Sequence, residues 1–456
     1  MKQGTKRKPT YKQMALETAV RNPERYIGLL TVLKSFDGEI LNDKNLLKIV
    51  SYLYLVGEVS SDDIIITNKT KIEDIEEKVI EINSTRRADG GFPMGYQSRF
   101  WTYMRTPSEL GFIFAQYEKE FKFSDIAKKL KGSILMTGPL LARFGEAFLF
   151  QSGGCVIGQR PRDIFLEGFK AFGATVKENK KTCCLTIKKL KGTKFVFPLI
   201  SVTATETMIL TAVLAEGKTL LSNAACEPEI VFLVDFLNKR GAKIKGAGTP
   251  FIEINGVKSL SGGQCKILPD RIEAGSFVIL GAATNSPIKI TGIEPSHLDV
   301  LWFLLKKAGV NLKIGKDFVE VKPPFKIKAT DLKTHEYPGF PTDLQAPFTV
   351  LMTQAEGVSL IHETIFEGRL FYTDALNQMG AKIIMCDPHR VIVQGPSKLY
   401  GRRLISPDIR AGIALVIASL IAEGESVIEN IYQIDRGYEK IEERLLKIGA
   451  DIKRKT

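Results

Sequence analysis

A chain of 456 residues is about three times a typical domain, so two or three cores are expected. Its 44% hydrophobic and 25% charged residues are ordinary for a soluble globular protein. No run approaches the roughly 18 apolar residues of a membrane span, and the basic start MKQGTKRKPTYKQ lacks the apolar core of a secretory signal. The six cysteines (Cys155, Cys183, Cys184, Cys226, Cys265, Cys386) show neither metal-ligand spacing nor a dense framework, so they read as reduced thiols in a cytoplasmic protein. The net charge is +13, yet residues 1–130 carry 21 Lys and Arg against 18 Asp and Glu, so most of the excess lies after Leu130. It is either a solvated basic surface or a basic cleft for a polyanionic substrate.

In chain order, residues 1–130 read as a mainly helical module. The pattern gives a helix through Lys44–Val56, an acidic helical stretch at Lys71–Asn83, and a glycine- and aromatic-rich loop at Asp89–Trp101. A helix and wing end it, from Glu109 to Leu130. Arg86, Arg87, Arg99, Trp101, Tyr103 and Arg105 mix basic and aromatic side chains, as a nucleic-acid contact or a small helical packing module would.

From Gly132 onward an internal repeat organises the chain. An apolar helix end runs into glycine and then a β-prone stretch five times, at Gly173, Gly241, Gly309, Gly380 and Gly449, spaced 68, 68, 71 and 69 residues apart. Each glycine sits where a helix C-cap requires a left-handed backbone. A second marker, Ala-Glu-Gly, recurs at Gly217, Gly357 and Gly424. Units of about 69 residues suit whole βαβ-type subdomains, and residues 1–130 carry neither marker.

The sharpest chemical segment is Ser152-Gly-Gly-Cys155-Val-Ile-Gly-Gln-Arg160-Pro-Arg-Asp163. The glycines allow a tight turn that exposes a thiol. Arg160 and Arg162 are near enough to lower its pKa or to hold a phosphate. A lone cysteine is more often a buried hydrophobe, and the flanking residues argue against that here. Asp343 lies in a loop braced by Pro338-Gly-Phe-Pro341, which suits a positioned general base. The four histidines are scattered, which speaks against metal ligation.

The run Leu135-Met-Thr-Gly-Pro-Leu-Leu-Ala-Arg-Phe-Gly-Glu-Ala, followed by Gly-Gly-Cys-Val-Ile-Gly-Gln-Arg-Pro, resembles the UDP-N-acetylglucosamine 1-carboxyvinyltransferase family of enolpyruvyl transferases. The likeness continues through Ser201-Val-Thr-Ala-Thr-Glu, Asn223-Ala-Ala-Cys-Glu-Pro-Glu-Ile and Pro269-Asp-Arg-Ile-Glu-Ala-Gly. It runs on through Tyr337-Pro-Gly-Phe-Pro-Thr-Asp343, Glu363-Thr-Ile-Phe-Glu-Gly-Arg369, Asp408-Ile-Arg410 and Asp435-Arg-Gly-Tyr-Glu439. The resemblance implies an α/β (α+β) fold of two halves built from βαβ-type repeats, residues 131–265 and 266–456, with substrates bound between them. It implies transfer of enolpyruvate from phosphoenolpyruvate to the 3'-hydroxyl of UDP-N-acetylglucosamine, with release of phosphate, in peptidoglycan precursor synthesis.

By motif, Cys155 corresponds to the family's mobile-loop general acid, which fosfomycin alkylates, and Asp343 to the group that takes the hydroxyl proton. Arg160, Arg410 and Arg436 correspond to phosphoenolpyruvate contacts. Arg160, Pro161, Arg162, Asp163, Ile164, Ser201, Val202, Thr203, Asp343 and Ile365 correspond to nucleotide-sugar contacts. The resemblance implies no metal, no organic cofactor and no membrane.

Departures from the pattern are specific. The family's first repeat, with its phosphoenolpyruvate-binding Lys-Asn-Ala-Ala phrase, is missing from this sequence. Thr203, Cys226 and Gly368 stand for a family glycine, arginine and asparagine. Residues 1–130 resemble instead the start of AlwI-type restriction endonucleases, through Arg21-Asn-Pro-Glu-Arg25 and the run from Gly95 to Ile113. A nuclease centre of the Asp…Glu-x-Lys kind is not evident there, so the expectation is a DNA- or partner-binding role. The alternative functional reading is a catalytically impaired nucleotide-sugar-binding protein fused to a DNA-binding module.

Overall fold

The computed structural model describes residues 133–150, 163–178 and 182–455. The helices expected in residues 1–130, and Cys155, Arg160, Pro161 and Arg162, lie outside them. The chain divides into two compact units, Met1–Gly153 with Val176–Thr186, and Gly154–Thr175 with Ile187–Thr456. In the first unit, helix α1 (Ser133–Phe144) leads into β1 (Glu146–Phe150), which pairs antiparallel with β3 (Thr182–Thr186); β2 (Thr175–Glu178) lies on the other side of β3.

The second unit opens with α2 (Asp163–Ala171), whose inner face buries Phe165, Leu166 and Phe169. Gly168 lies on that face because a Cβ there would stand 2.5 Å from the Met208 sulfur. Next come β4 (Lys194–Val196), α3 (Val202–Ala212), β5 (Lys218–Ser222), α4 (Pro228–Asn238), β6 (Lys243–Lys245) and β7 (Phe251–Asn255). Strands β4 and β5 are parallel, joined by α3 as a βαβ crossover, and β7 runs antiparallel between β5 and β6, giving the order β4-β5-β7-β6.

The same plan returns with the strands β11 (Leu332–Lys333), β12 (Gly357–His362), β13 (Lys382–Asp387) and β14 (Arg390–Gly395) in the order β11-β12-β14-β13. Between these two sheets, β8 (Ile288–Thr291), β9 (Leu312–Ile314) and β10 (Phe318–Val321) form the order β8-β10-β9, which is the plan without its first strand. At the C-terminal end β15 (Arg403–Ile405) and β16 (Val427–Glu429) keep only the parallel pair. The repeat read from the glycines is therefore one supersecondary unit, trimmed differently in each copy.

All five glycines at the helix ends have positive φ, from +89° to +106°, and so do Gly217, Gly357 and Gly424 of the second marker. The second marker has a fourth occurrence hidden from a search for glycine. Asn285, at φ 49°, follows α5 (Arg271–Ala283) and precedes β8. Asparagine is one of the few other residues that tolerates this region.

The core of the later repeats is formed by α5, α7 (Gln345–Met352) and α9 (Ile409–Ile421), which pack on one another. In α9 every residue from Ala411 to Ala418 is buried, and in α5 every residue from Ala274 to Ala283. A helix buried on all sides has no solvent face, so these three form the centre of the unit. The outer helices α6 (Asp299–Lys307), α8 (Thr373–Gln378), α10 (Tyr432–Asp435) and α11 (Ile441–Lys447) complete the unit. No helix among the described residues is long and apolar enough to cross a membrane.

Gly241 and Gly380 separate the backbone cost of the repeat from its packing cost. A Cβ at Gly241 meets nothing within 4 Å, whereas one at Gly380 meets the Lys398 carbonyl at 2.8 Å. Gly241→Ala is expected to cost about 1–2 kcal/mol, the penalty of a left-handed L-residue. Gly380→Ala is expected to cost more, read from urea unfolding midpoints of the two variants.

Candidate functional site

The N-terminal ends of the buried helices carry carboxylates in register with the repeat. Asp270 caps α5, accepting from the backbone N–H groups of Ile272 and Glu273 at 2.9 and 3.0 Å. Asp408 caps α9, accepting from Arg410 and Ala411 at 2.7 and 3.1 Å. Ser201 does the same for α3, accepting from Ala204 at 3.3 Å. Such caps satisfy donors that a helix start leaves without partners.

Asp343 stands at the matching place before α7 but caps nothing. It lies in the 3-10 turn Thr342–Leu344, and its side chain points to two arginines instead. Arg369 Nη1 donates to Oδ1 at 2.8 Å, and Arg410 reaches Oδ2 through both Nε and Nη2 at 3.1 Å. The loop before it is held by Phe340, which is buried edge-on against Phe348 with ring centroids 5.5 Å apart. Gly275 of α5 lets Leu344 approach, since a Cβ there would lie 2.6 Å from a Leu344 methyl.

Each arginine is itself positioned. The Arg369 side chain is only 6% exposed, lies over the Phe366 ring at 5.0 Å, and also donates to the Thr342 hydroxyl at 3.1 Å. Its buried Nε has no partner among the described residues. Arg410 Nη1 donates to the Tyr438 hydroxyl at 3.2 Å. Ser276 gives its own proton to the Ile272 carbonyl at 2.8 Å, so Tyr438 donates to Ser276, also at 2.8 Å, and keeps a lone pair for Arg410. Burial pushes the Tyr438 phenol up, which keeps it the neutral donor this chain requires. A Cβ at Gly437 would lie 2.5 Å from Ile409, so glycine there lets the Tyr438 segment close over the start of α9.

The Asp343 side chain keeps 34% exposure, so a ligand can reach it. Burial alone would raise its pKa, but the charges of Arg410 and Arg369 win and lower it from 3.8 to about 2. The two guanidinium groups at this partly exposed carboxylate are groups with which an incoming anion can pair.

Among the other expected residues, Arg436 is exposed, two positions before Tyr438, and donates to the Gln433 side chain at 2.9 Å, a neutral partner that an anion can displace. Ser201, Val202 and Thr203 form the first turn of α3, where N–H groups and the helix dipole favour negative charge. Asp163 is exposed at the start of α2, but Ile164 is only 4% exposed, which leaves its backbone as the part a ligand would meet. Ile365 lies in the turn after β12, its N–H bound to Glu363 Oε1 at 2.8 Å. The structure thus gathers Asp343, Arg410 and, through Tyr438, the Arg436 segment. Sequence reasoning missed Arg369, Tyr438 and Ser276; the first two stood in quoted motifs, while Ser276 carried no signal. No group of His, Cys, Asp or Glu among the described residues is arranged to hold a metal ion.

Comparisons with known proteins agree on one family. The family model of EPSP synthase (3-phosphoshikimate 1-carboxyvinyltransferase) matches residues 108–445. The chain is 41% identical over 390 residues to a UDP-N-acetylglucosamine 1-carboxyvinyltransferase of Bdellovibrio bacteriovorus, covering 86% of this chain and 91% of that one. It is 46% identical over 330 residues to one of Carboxydothermus hydrogenoformans, covering 72% and 78%. The first match is too long to fit after Leu130, so it extends into the preceding residues. Among solved structures, the enolpyruvyl transferase NikO from Streptomyces tendae superposes with a TM-score of 0.65 at 25% identity, covering 72% of this chain and 79% of that one. EPSP synthase from Acinetobacter baumannii, at 19% identity and a TM-score of 0.56, shares the fold.

The Asp343 pair has a measurable acid signature. Because its folded pKa is depressed, its contribution to stability is fully present above about pH 4 and is lost as pH falls toward 2. The urea midpoint of the wild-type chain is expected to fall more steeply between pH 4 and 2 than that of Asp343→Asn.

Proposed function

The chain belongs to the enolpyruvyl transferase family and is an enzyme of that kind, and from that premise we propose the acceptor, the residues and the order of steps. The chain transfers the enolpyruvyl group of phosphoenolpyruvate to the 3'-hydroxyl of UDP-N-acetylglucosamine, releasing phosphate and supplying a peptidoglycan precursor in the cytoplasm. The observation that carries this acceptor is the 41–46% identity to relatives named for that reaction, against 19–25% to the EPSP synthase and NikO structures. Those relatives are named as enzymes, and nothing in the site favours a nucleotide-sugar sensor.

Asp343 is the proton acceptor in this reading, and its low pKa constrains the order of events. A carboxylate lies far below an alcohol in pKa even before its arginines lower it further, so it does not deprotonate the hydroxyl in the ground state. Cys155 first delivers a proton to the methylene carbon of phosphoenolpyruvate, leaving the adjacent carbon oxocarbenium-like. The sugar hydroxyl then bonds to that carbon, and its proton becomes acidic enough for Asp343 to take. The resulting tetrahedral ketal expels phosphate and loses a methyl proton, giving the enolpyruvyl ether.

Arg160, Arg410 and Arg436 hold the anionic groups of phosphoenolpyruvate, with Arg369 beside Arg410. An anion that draws either clamp arginine away from Asp343 raises its pKa toward the range where it accepts a proton. Arg160, Pro161, Arg162, Asp163, Ile164, Ser201, Val202, Thr203 and Ile365 form the nucleotide-sugar site, with the first turn of α3 supplying N–H groups for a diphosphate. The halves 131–265 and 266–456 enclose this site. The part of the Bdellovibrio match that precedes Lys131 favours counting some of residues 1–130 with the transferase over a separate DNA-binding module.

Two measurements test this. Purified protein given phosphoenolpyruvate and UDP-N-acetylglucosamine is expected to release phosphate, and Asp343→Asn to lower kcat by about a hundredfold or more while nucleotide-sugar binding persists. Absence of release from the wild-type chain would defeat the assignment. In peptide mapping, fosfomycin is expected to label Cys155 ahead of Cys265 and Cys386, which are exposed, and of buried Cys183. Labelling that follows exposure alone would remove Cys155 from its role.

A further inference from the structure

Glu363 is 0% exposed, a carboxylate taken fully out of water just past the end of β12. A carboxylate so buried is unfavourable unless its oxygens are satisfied. Its backbone is fixed from both sides by His389: Glu363 N–H donates to the His389 carbonyl at 2.7 Å, and His389 Nδ1 lies 2.8 Å from the Glu363 carbonyl.

The two carboxylate oxygens have different tasks. Oε1 accepts from the backbone N–H groups of Ile365 at 2.8 Å and Phe366 at 3.3 Å, which shapes the turn carrying Ile365. Oε2 accepts from the Thr342 hydroxyl at 2.8 Å. A hydroxyl has one proton, so Thr342 faces Arg369 Nη1 with a lone pair, and that contact is 3.1 Å. The same Nη1 donates to Asp343 at 2.8 Å. A carboxylate that only shaped its own turn would need Oε1 alone.

We infer that Glu363 is a positioning residue which ties the Ile365 turn to Asp343 through Thr342 and Arg369, so that seating the sugar nucleotide and aiming the proton acceptor are mechanically one event. The inference rests on the proposed function, in which Ile365 meets the nucleotide sugar and Asp343 takes the hydroxyl proton. The polarity of the relay matters as much as its shape. In Glu363→Gln one carbonyl remains; if it keeps the Ile365 and Phe366 N–H groups, the amide donates to Thr342 and turns that hydroxyl's proton toward the Arg369 N–H.

The test uses the full chain and four variants, with steady-state kinetics, kcat against pH, and calorimetric titration of UDP-N-acetylglucosamine. Thr342→Val is expected to lose about tenfold in kcat with nucleotide-sugar affinity within about twofold of wild type, while Thr342→Ser restores kcat. The acid limb of kcat is expected to move to higher pH in Thr342→Val, because a loosened Arg369 no longer holds Asp343 as firmly; a purely structural role would leave it in place. Glu363→Gln is expected to lose both kcat and affinity, and the double variant Thr342→Val with Glu363→Gln to have a kcat no lower than Glu363→Gln alone. Should Glu363→Gln fail to fold, the Thr342 pair still decides. An active wild-type chain whose Thr342→Val variant keeps its kcat and acid limb overturns the relay alone; a wild-type chain that releases no phosphate overturns the functional reading and the relay with it.

Discussion

Two guanidinium groups on one carboxylate, Arg369 and Arg410 on Asp343, form the interaction on which the surrounding structure depends. A charge removed from water needs a partner of opposite sign and satisfied hydrogen bonds, and here each member brings its own. Arg410 is backed by Tyr438 and Ser276, and Arg369 by Thr342 and the Phe366 ring. Removing the carboxylate would leave two cations side by side, so the loop that carries Asp343 cannot move independently of α9 or of the turn after β12. The same guanidinium groups that hold the cluster together are what an incoming anion would meet.

The repeat explains how such a cluster arises from ordinary parts. In successive copies a residue with a side-chain oxygen precedes a buried helix, as Ser201, Asp270, Asp343 and Asp408 do. Three of the four cap their helices, which is the expected use of that position. In the remaining copy a 3-10 turn shifts the start of α7, and Asp343 is freed from capping to face the arginines. A structural position thereby becomes a chemical one without altering the supersecondary plan.

The three central helices keep this geometry rigid. Their starts carry the site, and they are buried over most of their length, so a displacement of one is resisted by close packing against the other two. Ties also cross from the earlier repeats. Glu229 at the start of α4 pairs with Arg271 at the start of α5 at 3.0 Å, and Arg271 lies over the Tyr337 ring, in the loop leading to Asp343. Arg240, at the end of α4, grips the segment before α5 through the carbonyls of Gly262 and Gln264, each at 3.1 Å.

The sequence by itself determined the period and the family, and it singled out Asp343 and Arg410 among the residues that meet there. Positive φ has a local cause: only glycine adopts it freely, so five helix ends could be read from one letter, while Asn285 escaped by substituting for it. Motif order carried Asp343, Arg410 and Arg436 for a similar reason, since each belongs to a contiguous phrase. What only the tertiary structure decided is which of those groups touch, and with what polarity. Arg369 and Asp343 are 26 residues apart and Ser276 and Tyr438 162 apart, separations at which no local pattern reports contact. The direction of the Thr342 proton, and with it the meaning of a buried Glu363, depends on three side chains meeting in space, because a hydroxyl's single proton goes to whichever acceptor the fold brings nearest.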